Sequence, residues 1–290
     1  MSKIIPASEL ILNADGSIYH LNLKPENLAS TVLTVGDPER VEKVSQYFDT
    51  LTFKTSKREF NIHSGTYKGT PLTVMSTGMG TDNIEIVMNE LDALVNIDLK
   101  TRREKEEKKS LSIIRIGTSG SMQSDVPVDA HLASAFAVGL DTLMHFYTPA
   151  YTEQEENLRQ RVADTLQIGF TPYAVGASRR LLQKIGANML TGVTATCPGF
   201  YGPQGRSLRL VPAIPTIIEK LSQTETGIAG LRLTNFEMET AGYYAMGRLL
   251  GHEMLSVNAI VANRVEQVFS QDSEKVVDSL IREVLKKVAE

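Results

Sequence analysis

Residues 31–35, Thr-Val-Leu-Thr-Val, form a short β-branched run that stops at a glycine. Gly36-Asp-Pro-Glu-Arg40 follows, and residues 41–48 then carry apolar groups at helical spacing. β-Branched side chains suit a pleated surface, glycine lets the backbone turn, and proline presets the first helical turn. A strand that passes into a helix this way lays the helix back on its own sheet, which restricts the chain to the α/β class. The same turn builds an anion site, with free backbone N–H groups beside the donor fork of Arg40. A second such turn is expected downstream, where the strand-like residues 111–116 run into Arg115-Ile-Gly-Thr-Ser-Gly120. Two strand ends, each offering glycine and arginine, suggest one phosphate-sized ligand held between them.

The alternation continues along the chain. Apolar runs predict strands at residues 31–35, 61–67, 72–77, 111–116, 130–138, 189–195, 231–235 and 254–262. Helical spacing predicts helices at 38–48, 83–97, 153–167, 178–185, 214–221, 239–250 and 272–288. This order argues for a mixed, twisted sheet with helices on both faces. With no internal repeat and no long Pro/Gly/Ser linker, one domain over residues 1–290 is expected.

A net charge of -4 gives no electrostatic reason to expect nucleic acid. Cys197 is the one cysteine, which excludes an internal disulfide and a cysteine-based metal cage. No apolar stretch approaches the ~20 residues that span a membrane. No secretory signal is evident, so a cytoplasmic location is expected. Residues 100–109, with six basic and three acidic groups, read as a solvated connection between a helix and a strand.

Three further clusters carry potential chemistry. Ser76-Thr-Gly-Met-Gly80 joins a strand to a helix, and its glycines allow close approach of a ligand. Asn235-Phe-Glu-Met-Glu239 opens the predicted helix 239–250; its glutamates either favour the helix dipole or accept from the vicinal hydroxyls of a polyol. Phe200-Tyr-Gly-Pro-Gln-Gly-Arg206 combines an aromatic ring, an amide and a guanidinium, a set able to stack a planar heterocycle and read its edge. The five histidines show no metal-ligand spacing, and neither a Gly-x-Ser-x-Gly elbow nor a GxGxxG fingerprint is present.

Taken in order, GDPxR, STGxG, RxGTxG, FYxxQxR, NxEME and the closing Asn263-Arg264 resemble the nucleoside phosphorylase family with the uridine phosphorylase motif set, from about residue 18 to residue 264. The resemblance implies a single α/β domain around a barrel-like sheet. It also implies an active site at the interface of a homodimer, alone or in a trimer of dimers. Gly36, Arg40, Arg115 and Thr118 match the phosphate site, joined by Arg58 from the neighbouring subunit. Met238 and Glu239 match the ribose binders, and His20 matches a histidine that crosses to the neighbour's 5′-hydroxyl. Phe200, Gln204 and Arg206 match the uracil binders. The implied reaction is reversible phosphorolysis of uridine, deoxyuridine or thymidine, a pentosyl transfer with phosphate as co-substrate and no organic cofactor, metal or covalent intermediate.

Glu59 corresponds to a residue that holds a monovalent cation in some members, but Asn83 stands where those members commonly carry serine, which argues against the cation. The family loop usually reads Phe-Tyr-Pro-Gly, whereas Gly202-Pro203 is inverted here; proline should bias Gly202 away from α and alter the loop path. The alternatives are a purine nucleoside phosphorylase, a nucleosidase using water, and a non-catalytic nucleoside- or phosphate-binding protein. Purine-cleaving relatives place an aspartate after the late strand, and residues 259–264 contain none.

Overall fold

The computed structural model describes residues 3–290. In chain order the regular elements begin with β1 (Thr31–Val35), α1 (Pro38–Ser45), β2 (Thr50–Lys57), β3 (Phe60–Tyr67), β4 (Thr70–Ser76) and α2 (Thr81–Asn96). A two-strand hairpin, β5 (Ile97–Asp98) and β6 (Arg103–Glu104), leads to β7 (Ser112–Ser121) and β8 (His131–Gly139). Then come α3 (Glu153–Leu166), β9 (Tyr173–Gly176), α4 (Arg179–Ile185), β10 (Leu190–Thr196) and α5 (Ile217–Gln223). The chain finishes with β11 (Leu233–Glu237), α6 (Thr240–Leu250), β12 (Glu253–Asn263), β13 (Val268–Phe269) and α7 (Ser273–Ala289).

Five strands close on themselves. β7 pairs with β12, β12 with β8, β8 with β10, β10 with β11, and β11 returns to β7. Of these junctions, β12–β8 and β11–β7 are antiparallel and the others parallel, so the ring is a mixed barrel. β1, β4, β3 and β2 extend outward from β7 as an open wing. Helices cover both sides: α2 and α6 pack with the apolar arm around Leu21 and Leu23, while α1, α4 and α7 cover the face of β1, β4, β7 and β12. A third cluster gathers α3 and α5 against β10 and β11. The expected mixed α/β architecture, helices on both faces and barrel-like closure, is therefore present.

The turn after β1 forms as its residues dictate. Asp37 caps α1, its carboxylate accepting from the Glu39 amide at 2.9 Å, and Pro38 opens the first turn. Several predicted boundaries move. β7 continues five residues beyond the expected end, so Arg115 lies inside a strand and not at its terminus. The residues after it, Ile-Gly-Thr-Ser-Gly, read as a turn, but β12 supplies a ladder partner as far as Ser121, with one register shift between Ile260 and Ala262. α5 starts at Ile217 instead of residue 214 because Pro215 disfavours helix at the residue before it. β2 was missed because it is an edge strand, polar and largely exposed, with no apolar face to show. Residues 100–109 do connect helix to strand, but through the β5–β6 hairpin, where Lys105 Nζ donates to the Val95 carbonyl at 2.8 Å.

The pairing of β9 with β8 leaves little room at Gly139, the last residue of β8. A Cβ there would lie 2.1 Å from the ring of Tyr173, whose hydroxyl donates to Asp141 at 2.7 Å. Gly139→Ala should cost about 1–3 kcal/mol, the usual price of overpacking a closed core, read as a lower denaturation midpoint at unchanged m-value. An unaltered midpoint would mean that Tyr173 moves freely.

Candidate active site

Along one edge β7 is shared between two neighbours, β1 and β11, that do not pair with each other. Its first half pairs with β1, ending at the Thr34–Arg115 register, and its last two residues pair with β11 at Phe236–Gly120 and Asn235–Ser121. Between Arg115 and Gly120 that edge of β7 has no strand beside it. The sheet splits there, and a crevice opens at a switch point of strand order, the usual position for a ligand in α/β sheets. The cleft has a volume of about 550 Å³, within the roughly 300–1,000 Å³ typical of small-molecule sites.

Nearly all of the expected ligand set comes together in this cleft. Gly36, Arg40, Arg115 and Thr118 line it, together with Met238 and Glu239 and with Phe200, Gln204 and Arg206. Arg40 reaches across the split, with Nη1 donating to the Ile116 carbonyl at 3.4 Å. Burial and the neighbouring Arg115 charge hold the Arg40 guanidinium below its ordinary range. Arg40 and Arg115 thus bring two guanidinium groups to one cleft, where a single anion can accept from both.

Arg115 is 5% exposed and is tied into a buried charge cluster. Its Nη2 donates to Glu239 at 2.5 Å and lies 3.3 Å from Glu237. Its Nη1 donates to Asn258 Oδ1 at 2.9 Å. Burial opposes its charge, but the two glutamates outweigh burial and keep the guanidinium above its ordinary value. Burial acts in the opposite sense on Glu239, pushing its carboxyl up while Arg115 pulls it down. The amide of Gly80 donates to Glu239 Oε1 at 2.9 Å, so the glycine turn before α2 serves this carboxylate. Glu237 is bound differently: Thr196 Oγ1 and the amides of Glu239 and Thr240 donate to it at 2.6–3.1 Å. It anchors the start of α6, although both Glu237 and Glu239 line the cleft.

Residues Gly202–Gln204 form a 3₁₀ turn closed by Gly205 in the left-handed region at φ 68°. The expectation that proline would bias Gly202 away from helical geometry is not met, because glycine has no Cβ to crowd the proline ring. Gln204 is buried, Arg206 Nη1 donates to its Oε1 at 2.7 Å, and the Arg206 guanidinium stacks 3.7 Å from the Phe200 ring centroid. Burial and the nearby Arg264 lower the Arg206 pKa to about 10, so it stays charged at neutral pH. Arg264 braces the turn by donating to the Gln204 carbonyl at 3.0 Å.

Three expected residues lie outside the cleft of their own chain. Arg58 is exposed, in the left-handed region at φ 57°, with its guanidinium over the Tyr19 ring. His20 pairs with Glu90 on α2. Glu59 flanks Gly78 together with Asn83, whose amide nitrogen donates to the Met79 carbonyl at 3.3 Å. Among the described residues, no group of three or more His, Cys, Asp or Glu is placed to hold a metal ion. Sequence reasoning missed Asn258 and Ser256, which orient Arg115 from β12, and Phe269 of β13, which closes the cleft rim. Asn258 and Ser256 sit in an otherwise apolar strand, and polar groups at inward positions of a buried strand were the available signal.

Residues 30–290 match the family model described as "Phosphorylase superfamily". A uridine phosphorylase of Thermococcus kodakarensis is 30% identical over 95% of this chain and 88% of its own length. A DeoD-type purine nucleoside phosphorylase of Listeria welshimeri is 28% identical over 82% of this chain and 84% of its own. Among solved structures, a nucleoside phosphorylase of Trypanosoma brucei, described as showing uridine phosphorylase activity, superposes with a TM-score of 0.89 at 30% identity, covering 96% of this chain and 98% of its own. With a split mixed barrel and a match over most of its length, the chain belongs to the phosphorylase superfamily.

Proposed function

We propose that this enzyme is a uridine phosphorylase that converts uridine and phosphate reversibly to uracil and ribose 1-phosphate. The observation that carries this reading is that one cleft is lined by two arginines, a buried carboxylate, and an amide and guanidinium stacked on an aromatic ring. Arg40, Arg115, Thr118 and the backbone at Gly36 hold phosphate, with Arg58 supplied by a second copy. The phosphate lies beneath the sugar, so its attack on C1′ comes from the face opposite the base. Its charge stabilises the positive charge that develops on the ribose ring. Glu239 accepts from the 2′- and 3′-hydroxyls and Met238 covers the sugar. Because Arg115 already pairs with Glu239, phosphate and ribose divide an existing ion pair between them.

Gln204 and Arg206 address the carbonyl–NH–carbonyl edge of uracil. Arg206, with Arg264 close by, stabilises the departing uracil anion, which needs no strong proton donor. The end of β12 also favours a pyrimidine. Asn263 there spends Nδ2 on the Gln123 and Val126 carbonyls at 2.9 and 3.0 Å, and Oδ1 on the amides of Val265 and Glu266. It is neutral and turned into the loop, so no acid stands ready to protonate a purine N7.

Uridine should yield ribose 1-phosphate in phosphate buffer and nothing in its absence. Release of free ribose without phosphate would identify a nucleosidase, and tight nucleoside binding without turnover would identify a binding protein. Arg40→Ala should cost about 3 kcal/mol of transition-state stabilisation and raise the phosphate KM. Arg115→Ala should lose a similar amount of activity and in addition melt lower, since Glu237 and Glu239 are then buried without a counter-charge. An unchanged phosphate dependence in both variants would remove the arginines from the phosphate site.

Base choice tests the rest of the site. Cytosine presents an amino group where uracil has a carbonyl, leaving Arg206 facing a donor, so uridine should be turned over far better than cytidine. Arg206→Ala should narrow that gap chiefly by damaging uridine turnover. Preference for inosine or adenosine would overturn the uridine assignment.

The site we propose is completed across a dimer. Mixing Arg58→Ala chains with Arg115→Ala chains should restore part of the activity, because some mixed dimers hold one intact site. Failure to recover activity after demonstrated subunit exchange would count against shared sites.

A further inference from the structure

We propose that Glu90, in the middle of α2, is a positioning residue that fixes the ring orientation and tautomer of His20, so that its Nε2 is presented as an acceptor to the sugar 5′-hydroxyl in the neighbouring copy's cleft. The proposal rests on the reading of His20 given above. A single carboxylate takes the backbone amides of His20 and Leu21 and the His20 ring. The His20 amide donates to both Glu90 oxygens at 2.9 and 3.0 Å, the Leu21 amide donates to Oε2 at 2.8 Å, and His20 Nδ1 lies 2.7 Å from Oε1. A carboxylate bound by two backbone N–H groups is an acceptor only, so Nδ1 carries the hydrogen. In the neutral ring that leaves Nε2 with its lone pair.

Nothing else uses that nitrogen. Among the described residues Nε2 of His20 has no hydrogen-bond partner, and the side chain is 26% exposed. The arm does not need Glu90 merely to stay in place, because Leu21 and Leu23 on either side of Asn22 are wholly buried. A second brace acts from the opposite side. Lys57 Nζ donates to the Tyr19 carbonyl at 2.5 Å and to Asn13 Oδ1 at 3.0 Å, and stands 4.6 Å over the Tyr19 ring. The same ring lies 4.7 Å from the His20 ring and 5.9 Å from the Arg58 guanidinium. The two residues assigned to the neighbour's cleft thus share one framework, in which Glu90 alone controls the ring nitrogen. Holding the ring in its binding geometry beforehand reduces the ordering cost on association with substrate.

Glutamine is the informative replacement. Its amide group must face either the His20 ring or the Leu21 amide. Facing the backbone sets donor against donor. Facing the ring makes Nδ1 the acceptor and moves the hydrogen to Nε2. Glu90→Gln therefore preserves shape while reversing what His20 offers. The test compares uridine with 5′-deoxyuridine in the wild type, Glu90→Gln, His20→Ala and the double variant, together with ¹⁵N spectra of the histidine rings, His20 being identified by its loss in His20→Ala.

His20→Ala should lower kcat/KM for uridine about tenfold, the loss of one hydrogen bond, and leave 5′-deoxyuridine nearly unchanged. Glu90→Gln should lower it by a smaller factor, because the 5′-hydroxyl must turn to accept from Nε2–H, again sparing 5′-deoxyuridine, and the double variant should lose no more than His20→Ala. The neutral His20 ring should be Nδ1-protonated in the wild type and Nε2-protonated in Glu90→Gln. Equal losses on both nucleosides, additive losses in the double variant, or an Nε2-protonated ring in the wild type would each overturn the role of Glu90 while leaving His20 on the 5′-hydroxyl. If His20→Ala does not distinguish the two nucleosides, the reading of His20 fails and the positioning role falls with it. The ring spectra decide the matter even where catalysis is lost for another reason.

Discussion

The buried pairing of Arg115 with Glu239 and Glu237 is the constraint around which the cleft is organised. Each ion removed from water costs several kcal/mol, so such a cluster persists only where every remaining donor and acceptor is satisfied. Here that requires five parts of the chain at once. β7 supplies the guanidinium, the β11–α6 junction both carboxylates, and β12 the orienting Asn258 and Ser256. β10 gives the Thr196 hydroxyl, and the turn before α2 gives the Gly80 amide. Gly117 is forced by the same cluster, since a Cβ there would sit 1.8 Å from Arg115 Nη1. Two carboxylates against one guanidinium leave the cluster with an excess negative charge. Arg40 balances it only partly, from across the split in the sheet.

That split explains why the chemistry lies where it does. β1 runs into α1, whereas β7, parallel to it, runs on toward β8, and the cleft opens where β7 parts from β1 and turns toward β11. Every residue assigned to phosphate or sugar within the chain lies on the lips of this opening: Gly36 after β1, Thr118 in the unpaired edge of β7, and Glu239 at the start of α6. The fold would lose the cleft if β11 simply continued the ladder laid down by β1.

Much of this was legible in the sequence, and the exceptions have physical causes. The turn at Gly36–Arg40 was readable because its capping and proline chemistry is local. The sugar and base residues were readable because their types are costly to bury without a ligand or a partner. Arg115 was found, but its position was misread as a strand end. Gly-Thr-Ser-Gly looks like a loop by composition, and only β12, more than a hundred residues later, makes it a strand. The weight of Glu237 was hidden for a related reason. Its partners come from Thr196 and from the first turn of α6, and a pair of glutamates around a methionine does not reveal which one anchors the helix. β2 and β9 were missed because strand identity there rests on neighbours: one is a polar edge, the other a four-residue strand that pairs with β8 alone.

The base loop shows how a local rule yields to its context without loss of the site. Inverting proline and glycine at Gly202-Pro203 predicted a changed path and displaced base contacts. The structure keeps Gln204 buried and Arg206 stacked on Phe200 by closing the turn in 3₁₀ form, with the next glycine taking the positive φ. The turn is then fastened from β12 through Arg264 to the Gln204 carbonyl, a contact that depends on backbone position and not on the order of the two residues. On the proposed reading, Gln204 and Arg206 are already bonded to one another, so a base that fails to match both would leave the buried Gln204 amide without a partner.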